Sequence, residues 1–459
     1  MNKFNKYEDV LNWLYRLKRF GMTKGVDNLK ILAEEFKNIH DELKVILVTG
    51  SGGKGSTVAI LSKILEKSNY KVGTFTKPHL HRYTERISIN SQEISREDLI
   101  EIANRIYNKI EEIRTRREYY PTFFEVTSMI SILYFYERNV DLCIYEVGIG
   151  GRYDATNILN PLISCITRVY LEHTNILGNT VEDIAWNKVG IARENRFLIT
   201  GESDNRALRI IKDECSKIDC EVLTVGKEKN KDIIYETVIS NLNENKFNYF
   251  GLLNEYNNLE LNLKGDHQQL NCSIAIACCE ILKILGYNIN EGAIREALKD
   301  VKWAGRMEIF NYGNTSIILD AAKDPYAMNT LVNFLIRNGL KDVIVVISIS
   351  SDKDYKNMLS ELLRLSNTFI LSKHKVMERT ILPEKLKEAL LAMKNDTKIY
   401  VINDIKEAVK KALEISNKEK PILVTGSVFT VAEAREFLKN EESDSINLAD
   451  PHTLIDSSP

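Results

Sequence analysis

The turn at residues 50–57 constrains this chain more than any other feature. Gly50-Ser51-Gly52-Gly53-Lys54-Gly55-Ser56-Thr57 directly follows an apolar β-rich run, 44–49, and opens a helical pattern, 56–68. Glycines let backbone N–H groups turn toward an anion, and a helix N-terminus adds partial positive charge. Lys54 can neutralise phosphate oxygens, and a hydroxyl can ligate magnesium. The turn therefore predicts a phosphate-binding loop inside a βαβ unit. A merely flexible glycine turn is the plain alternative, and the strand–turn–helix context with its lysine argues against it.

The rest of the chain supports that setting. Further strands are expected at 141–147 and 161–169, with a long helical pattern after Phe123. This alternation implies a mostly parallel sheet. The stretch 232–264 is rich in Asn and Tyr and reads as irregular antiparallel strands. Helices follow at 267–285 and 291–298, and 301–306 reads as a linker. A second alternating block has strands at 316–321, 343–348, 369–372, 399–402 and 422–425. The expected fold class is α/β: a P-loop-containing, mostly parallel sheet domain over 1–300, then a smaller doubly wound domain over 301–440. The polar tail, 441–459, is expected to be disordered. A length of 459 residues suits two or three domains.

Charge and cysteine usage narrow the partners. A net charge of −2 provides no basic field for nucleic acid. Residues 1–20 interleave charged and apolar side chains, as in an amphipathic helix and unlike a signal peptide. No apolar stretch approaches membrane-span length. The seven cysteines form no CxxC pair, which suggests a reducing compartment. A cytoplasmic monomer with no membrane or nucleic-acid partner is expected.

The glycine loop resembles the GTNGKGST loop of Mur ligases, and within them of folylpolyglutamate/dihydrofolate synthases. Gly55, standing between Lys54 and Ser56, sets it apart from the commonest P-loop of GTPases and kinases. The match continues in order along the chain. Residues 76–90 (TKPHLHRYTERISIN) resemble TSPHL…ERI…N, 122–125 are TFFE, and 146–157 (EVGIGGRYDATN) resemble EVGLGGRLDATN. Residues 171–178 (LEHTNILG) resemble LDHTEILG, and NKVGI at 187–191 resembles EKAGI. His267, Gln268 and Asn271 match HQxxN, 303–306 (WAGR) resemble WPGR, and Gly426 and Ser427 match a late GS. The resemblance spans nearly all of the chain outside the tail.

It implies an ATP-dependent ligase that joins L-glutamate to a pterin-bearing carboxylate through an acyl phosphate. Elementary chemistry agrees, because a carboxylate does not react with an amine until it is activated. Lys54, Lys188 and His173 are the implied catalytic residues. ATP contacts are implied for Gly50, Ser51, Gly53, Lys54, Gly55, Ser56, Thr57, Asn271, Arg306 and Asp320. Magnesium is implied at Ser56, Glu146 and His173. Read alone, Glu146 is a strand-end charge, His173 a structural histidine and Lys188 a surface lysine. The resemblance makes Lys188 a carbamate carrier. It places Thr122, Phe123, Phe124, Glu125, Tyr153, Asp154 and Ala155 at a pterin site, although Phe123 and Phe124 also suit plain helix-start packing.

Four positions depart from the family pattern. Gly52 replaces an Asn and Glu172 an Asp. Lys77 replaces a Ser, and Lys323 replaces the His of GAHNP, so lysines enter two places near the chemistry. Lys77, Lys323 and Ser427 are candidates for the amino-acid substrate. A related ligase acting on another carboxylate, and a nucleotide-binding protein without catalysis, remain open alternatives.

Overall fold

In the computed structural model, residues 3–17, 26–375, 380–417, 419–440 and 443–444 are described. Strand β1 (Val45–Thr49) is apolar at all but its last position and buried along its whole length. A strand of this kind must be covered on both faces. Ile46 and Val48 enter a core formed with helices Lys54–Lys67 and Asp266–Ile284. Val45 and Leu47 enter a second core with helices Tyr7–Arg16, Arg96–Arg114 and Phe123–Glu137. Alternate residues of one strand thus divide between two helical layers.

The strands that follow are β2 (Val72–Phe75), β3 (Ile87–Ile89), β4 (Gln92–Glu93), β5 (Leu142–Glu146), β6 (Pro161–Ile166), β7 (Phe197–Thr200), β8 (Glu221–Gly226), β9 (Ile233–Ser240), β10 (Asn245–Phe250) and β11 (Glu255–Glu260). They form one sheet in the order β11-β10-β9-β8-β7-β6-β1-β5-β2-β3-β4. Pairing is parallel from β9 through to β2, and antiparallel at both edges. The expected strands of 232–264 are the antiparallel edge of this sheet.

A second sheet comprises β12 (Glu308–Tyr312), β13 (Thr315–Leu319), β14 (Ile344–Ile347), β15 (Thr368–Leu371), β16 (Lys398–Val401) and β17 (Ile422–Thr425), in the order β12-β13-β17-β14-β15-β16. Only the β12–β13 pair is antiparallel. Val345 and Ile347 face helices Pro325–Arg337 and Tyr355–Leu363, whereas Ile344 and Val346 face Ile405–Ser416 and Val428–Lys439. Helices therefore cover both faces, as in other doubly wound α/β folds.

Several local expectations shift. The first loop helix starts at Lys54 rather than 56, and β6 ends at Ile166 rather than 169. The short strands β2, β3, β4, β7, β8 and β12 had no counterpart in the sequence reading, because runs of two to six residues carry little periodic signal. The disorder expected of 441–459 does not extend to Ser443 and Asp444, and Asp444 is buried; the rest of that stretch lies outside the described residues. All seven cysteines are buried free thiols. Among the described residues, no helix is long and apolar enough to cross a membrane.

Candidate functional site

The parallel pairing of β1 with β5 and β6 sets three strand ends side by side. Ligands in open α/β sheets bind in the crevice outside such carboxyl ends. From β1 the chain enters the glycine loop. Gly53 adopts φ +89°, and a Cβ there would run into the Asn271 amide, so glycine is required on both counts. At Gly55 a Cβ would come within 2.9 Å of the Trp303 ring. Helix Asp266–Ile284 and the interdomain linker thus close on the loop. Lys54 Nζ donates to the Gly50 carbonyl at 2.6 Å, folding its charge over the loop. Ser51 donates to the Tyr170 carbonyl (3.0 Å) and accepts from the Tyr170 N–H (3.1 Å), which ties the loop to the end of β6. Ser56 and Thr57 are buried in the first helical turn, and Thr57 Oγ1 has no partner among the described residues.

Glu146, at the end of β5, is buried and accepts the Lys77 N–H at 3.1 Å. Beyond β6, Glu172 accepts from Lys188 Nζ at 2.8 Å. Lys188 is fully buried, and burial pulls its pKa from 10.5 to about 8; Glu172 opposes the fall while Lys54 and Lys77 reinforce it. Burial also works against the charged form of Glu172, but Lys188, Lys54 and His173 together hold its carboxyl well below the usual range. His173 occupies the left-handed region at φ +46°. Burial, opposed by Glu172 and reinforced by Lys353, Lys323 and Lys77, depresses its pKa to about 3, so the imidazole is neutral. Its buried Nδ1 has no partner among the described residues. Lys323 is pulled to about 7 by burial and by Lys353, Lys77 and Lys54. The centre is therefore a group of lysines drawn from both sheets around one acid–histidine–lysine core.

Among the described residues, no three His, Cys, Asp or Glu side chains are grouped closely enough to hold a metal alone. Magnesium does not need such a group, since it keeps waters and takes one or two carboxylates plus substrate phosphates. The buried Glu146, the loop hydroxyls and the unpartnered His173 Nδ1 fit that partial shell, although an imidazole is a softer donor than magnesium favours.

Other expected residues are placed as follows. Thr122 and Glu125 satisfy each other's backbone at a helix start, Glu125 N–H to Thr122 Oγ1 at 3.2 Å and Thr122 N–H to Glu125 Oε2 at 2.6 Å. Phe123 stacks on Tyr15 at 5.6 Å and Phe124 packs 5.7 Å from Phe75, so both rings belong to the core. Asp154 accepts from Ile149 N–H (2.9 Å) and Thr156 N–H (3.0 Å), bracing the turn after Glu146, and Ala155 is buried. Tyr153 is half exposed, 6.4 Å from Trp186. Asp320 accepts the Met307 and Ala322 N–H groups, each at 2.9 Å, and burial raises its pKa. Ser427 caps helix Val428–Lys439 by accepting from Phe429 and Thr430. Arg306 and Trp303 line a cavity of about 680 Å³ between the two sheets, with Lys264, Lys302 and Ile309.

The sequence reading gave no site role to Lys353, Trp303 or Tyr170. Lys353, paired with Asp352 at 2.7 Å, lies in the electrostatic field of His173 and Lys323. Its signal was available: it follows β14 at the carboxyl edge of the second sheet, where ligand contacts concentrate.

The Mur ligase middle domain matches residues 48–279, and the Mur ligase glutamate ligase domain matches 305–428. The chain is 30% identical to the dihydrofolate synthase/folylpolyglutamate synthase of Buchnera aphidicola, over 94% of this chain and 98% of that protein. Identity to the protein of the same description from Bacillus subtilis is 28%, over 95% and 100%. The crystal structure of folylpolyglutamate synthase from Thermotoga maritima superposes with a TM-score of 0.82 at 32% identity, covering 98% and 99% of the two chains. E. coli FolC in complex with DHPP and ADP superposes with a TM-score of 0.82 at 25% identity, over 95% and 98%.

The Lys188–Glu172 pair yields a prediction. Because the folded carboxyl titrates below its ordinary 4.5, its stabilising contribution is complete above that pH and is lost as the pH falls further. Glu172→Gln removes the carboxylate that keeps the proton on Lys188, so the buried amine should become neutral at neutral pH, with a loss of about 1–3 kcal/mol from its unsatisfied polar group. Melting followed into acid should show, below the ordinary carboxyl value of 4.5, a shallower further loss in this variant than in the parent.

Proposed function

The chain belongs to the folylpolyglutamate/dihydrofolate synthase family of Mur ligases and is an ATP-dependent ligase, and on that premise we propose that it joins L-glutamate to a pterin-bearing carboxylate, dihydropteroate or a folate polyglutamate, through an acyl phosphate. One observation carries this: the glycine loop, with Lys54 folded over it, faces Glu146, Glu172, His173 and Lys188 across adjoining strand ends.

Position and resemblance together support these roles. The N–H groups of 50–57 and the Lys54 ammonium cradle the phosphates of ATP, whose charge must be balanced as the γ-phosphoryl moves to the carboxylate. Arg306, Asn271 and Asp320 hold the nucleoside end beside the linker cavity. Ser56, Glu146 and His173 would hold magnesium, which would neutralise phosphate charge. Thr122, Glu125, Tyr153, Asp154 and Ala155 frame the pterin side, Tyr153 as its open aromatic face, while Phe123 and Phe124, packed in the core, back it without touching the ring. Lys77, Lys323 and Ser427 receive the carboxylates of the amino acid. We take 1–300 and 301–440 as the two domains, closing on this centre, and the protein as a cytoplasmic monomer without a nucleic-acid partner.

Lys188 is proposed to carry a carbamate, formed when its neutral amine adds carbon dioxide and loses a proton. A pKa near 8 supports this by leaving neutral amine available at physiological pH. Lys77 and Lys323 also support a second reading, a related ligase acting on a different carboxylate, because both sit where relatives carry uncharged or weakly basic side chains.

ADP release should require ATP, magnesium, a carboxylate acceptor and an amino acid together. A panel of pteroates, folates and other acids separates the two readings, and release indifferent to every acid would sink both. Lys54→Ala should lower turnover about a hundred- to thousandfold without unfolding the chain. Lys188→Ala should be inactive and regain turnover with short-chain carboxylic acids; full activity without them removes the carbamate. Lys323→Ala should raise KM for the amino acid more than KM for ATP, as expected for a lost ground-state contact.

A further inference from the structure

The segment between β2 and β3 starts beside the reaction centre and is held at its middle by the far end of the chain. Leu80 packs against the core of the second sheet, with Ile317, Val424 and Val431. The His81 ring lies between Ser443 Oγ, 3.0 Å from Nδ1, and Arg435 Nη1, 3.1 Å from Nε2. Asp444 donates its N–H to the His81 carbonyl at 2.9 Å. Its Oδ2 accepts from the Tyr7 hydroxyl at 2.7 Å and the Tyr83 N–H at 2.8 Å. Arg435 is itself fixed on Glu308 at 3.0 and 3.1 Å. His81, Tyr83 and Asp444 are all buried, so these contacts are shielded from water.

Within the segment, the Glu85 carboxylate accepts the N–H groups of Leu80, His81 and Arg82 at 2.7, 2.9 and 2.8 Å. The turn is thereby tied into one unit, and a force on His81 reaches its start. At that start, the Lys77 N–H donates to Glu146 Oε2. We propose that Arg435 and Asp444 are positioning residues: by pinning His81 and Tyr83 they hold the Lys77 amide on one oxygen of Glu146 and leave the other available to a magnesium ion. The inference rests on the assignment of Glu146 to magnesium. It links the placement of the second domain to the cation site in the first, without Arg435 or Asp444 touching a substrate.

The test uses the full chain and compares Asp444→Ala, Asp444→Asn and Tyr7→Phe. Backbone hydrogen exchange over 77–86 is measured without nucleotide, and ATP affinity is measured by calorimetry with and without magnesium. Asp444→Ala should speed exchange over 80–86 and weaken magnesium–ATP binding about tenfold, the scale of losing buried bonds to a charged acceptor, while metal-free ATP binding stays unchanged. Asp444→Asn keeps an oxygen for both donors and should behave as the parent. Tyr7→Phe, which removes one donor only, should give the same signature at smaller amplitude and serves if Asp444→Ala does not fold. Unchanged exchange, or equal losses with and without magnesium, overturns the proposal. Parent protein whose ATP binding ignores magnesium overturns the Glu146 assignment and this inference with it, whereas a normal parent response shared by all three variants overturns the inference alone.

Discussion

Parallel pairing of β1 between β5 and β6 is the constraint on which the rest of the structure depends. It places Thr49, Glu146 and Ile166 at one edge of the sheet. The glycine loop, the acid and the 167–173 segment then emerge as neighbours, although they are far apart in the chain. Such pairing is stable only when both faces are buried, and β1 meets that condition through two separate cores. Catalytic geometry here follows from hydrophobic layering.

Charge is concentrated where the layering leaves a crevice. Lys54, Lys77 and Lys353 all act on Lys323; Lys77, Lys323 and Lys353 act on His173; and Lys188 would be costly to bury without Glu172. This arrangement suits a site that receives phosphates and carboxylates. It also separates two nitrogen bases in one place: burial among cations keeps His173 neutral, while Glu172 lets Lys188 retain much of its proton affinity.

The two sheets meet through specific contacts as well as through the linker. Trp303 covers Gly55, and Tyr170 stacks on Tyr326 with ring centroids 4.4 Å apart. Leu80 and His81 reach the second sheet from the first. A nucleotide bound at the loop would therefore be sensed by both halves, because residues that border it are packed by the other domain.

The sequence by itself determined the α/β class, the glycine turn between strand and helix, and the motifs from which the candidate site is drawn. These rest on local signals: strand runs, a glycine turn before a helix, and ordered motifs that need no knowledge of distant contacts. It could not separate core aromatics from ring-binding ones, since TFFE reads alike for both; the packing of Phe123 on Tyr15 and Phe124 on Phe75 is a matter of which helix and strand lie beneath. Lys188 read alone was a surface lysine, and only the approach of the 167–173 segment made it buried and paired. Lys353 and Asp444 acquired their places in the same way. A residue's burial and its electrostatic neighbours are set by segments remote in the chain, so tertiary structure alone decided them.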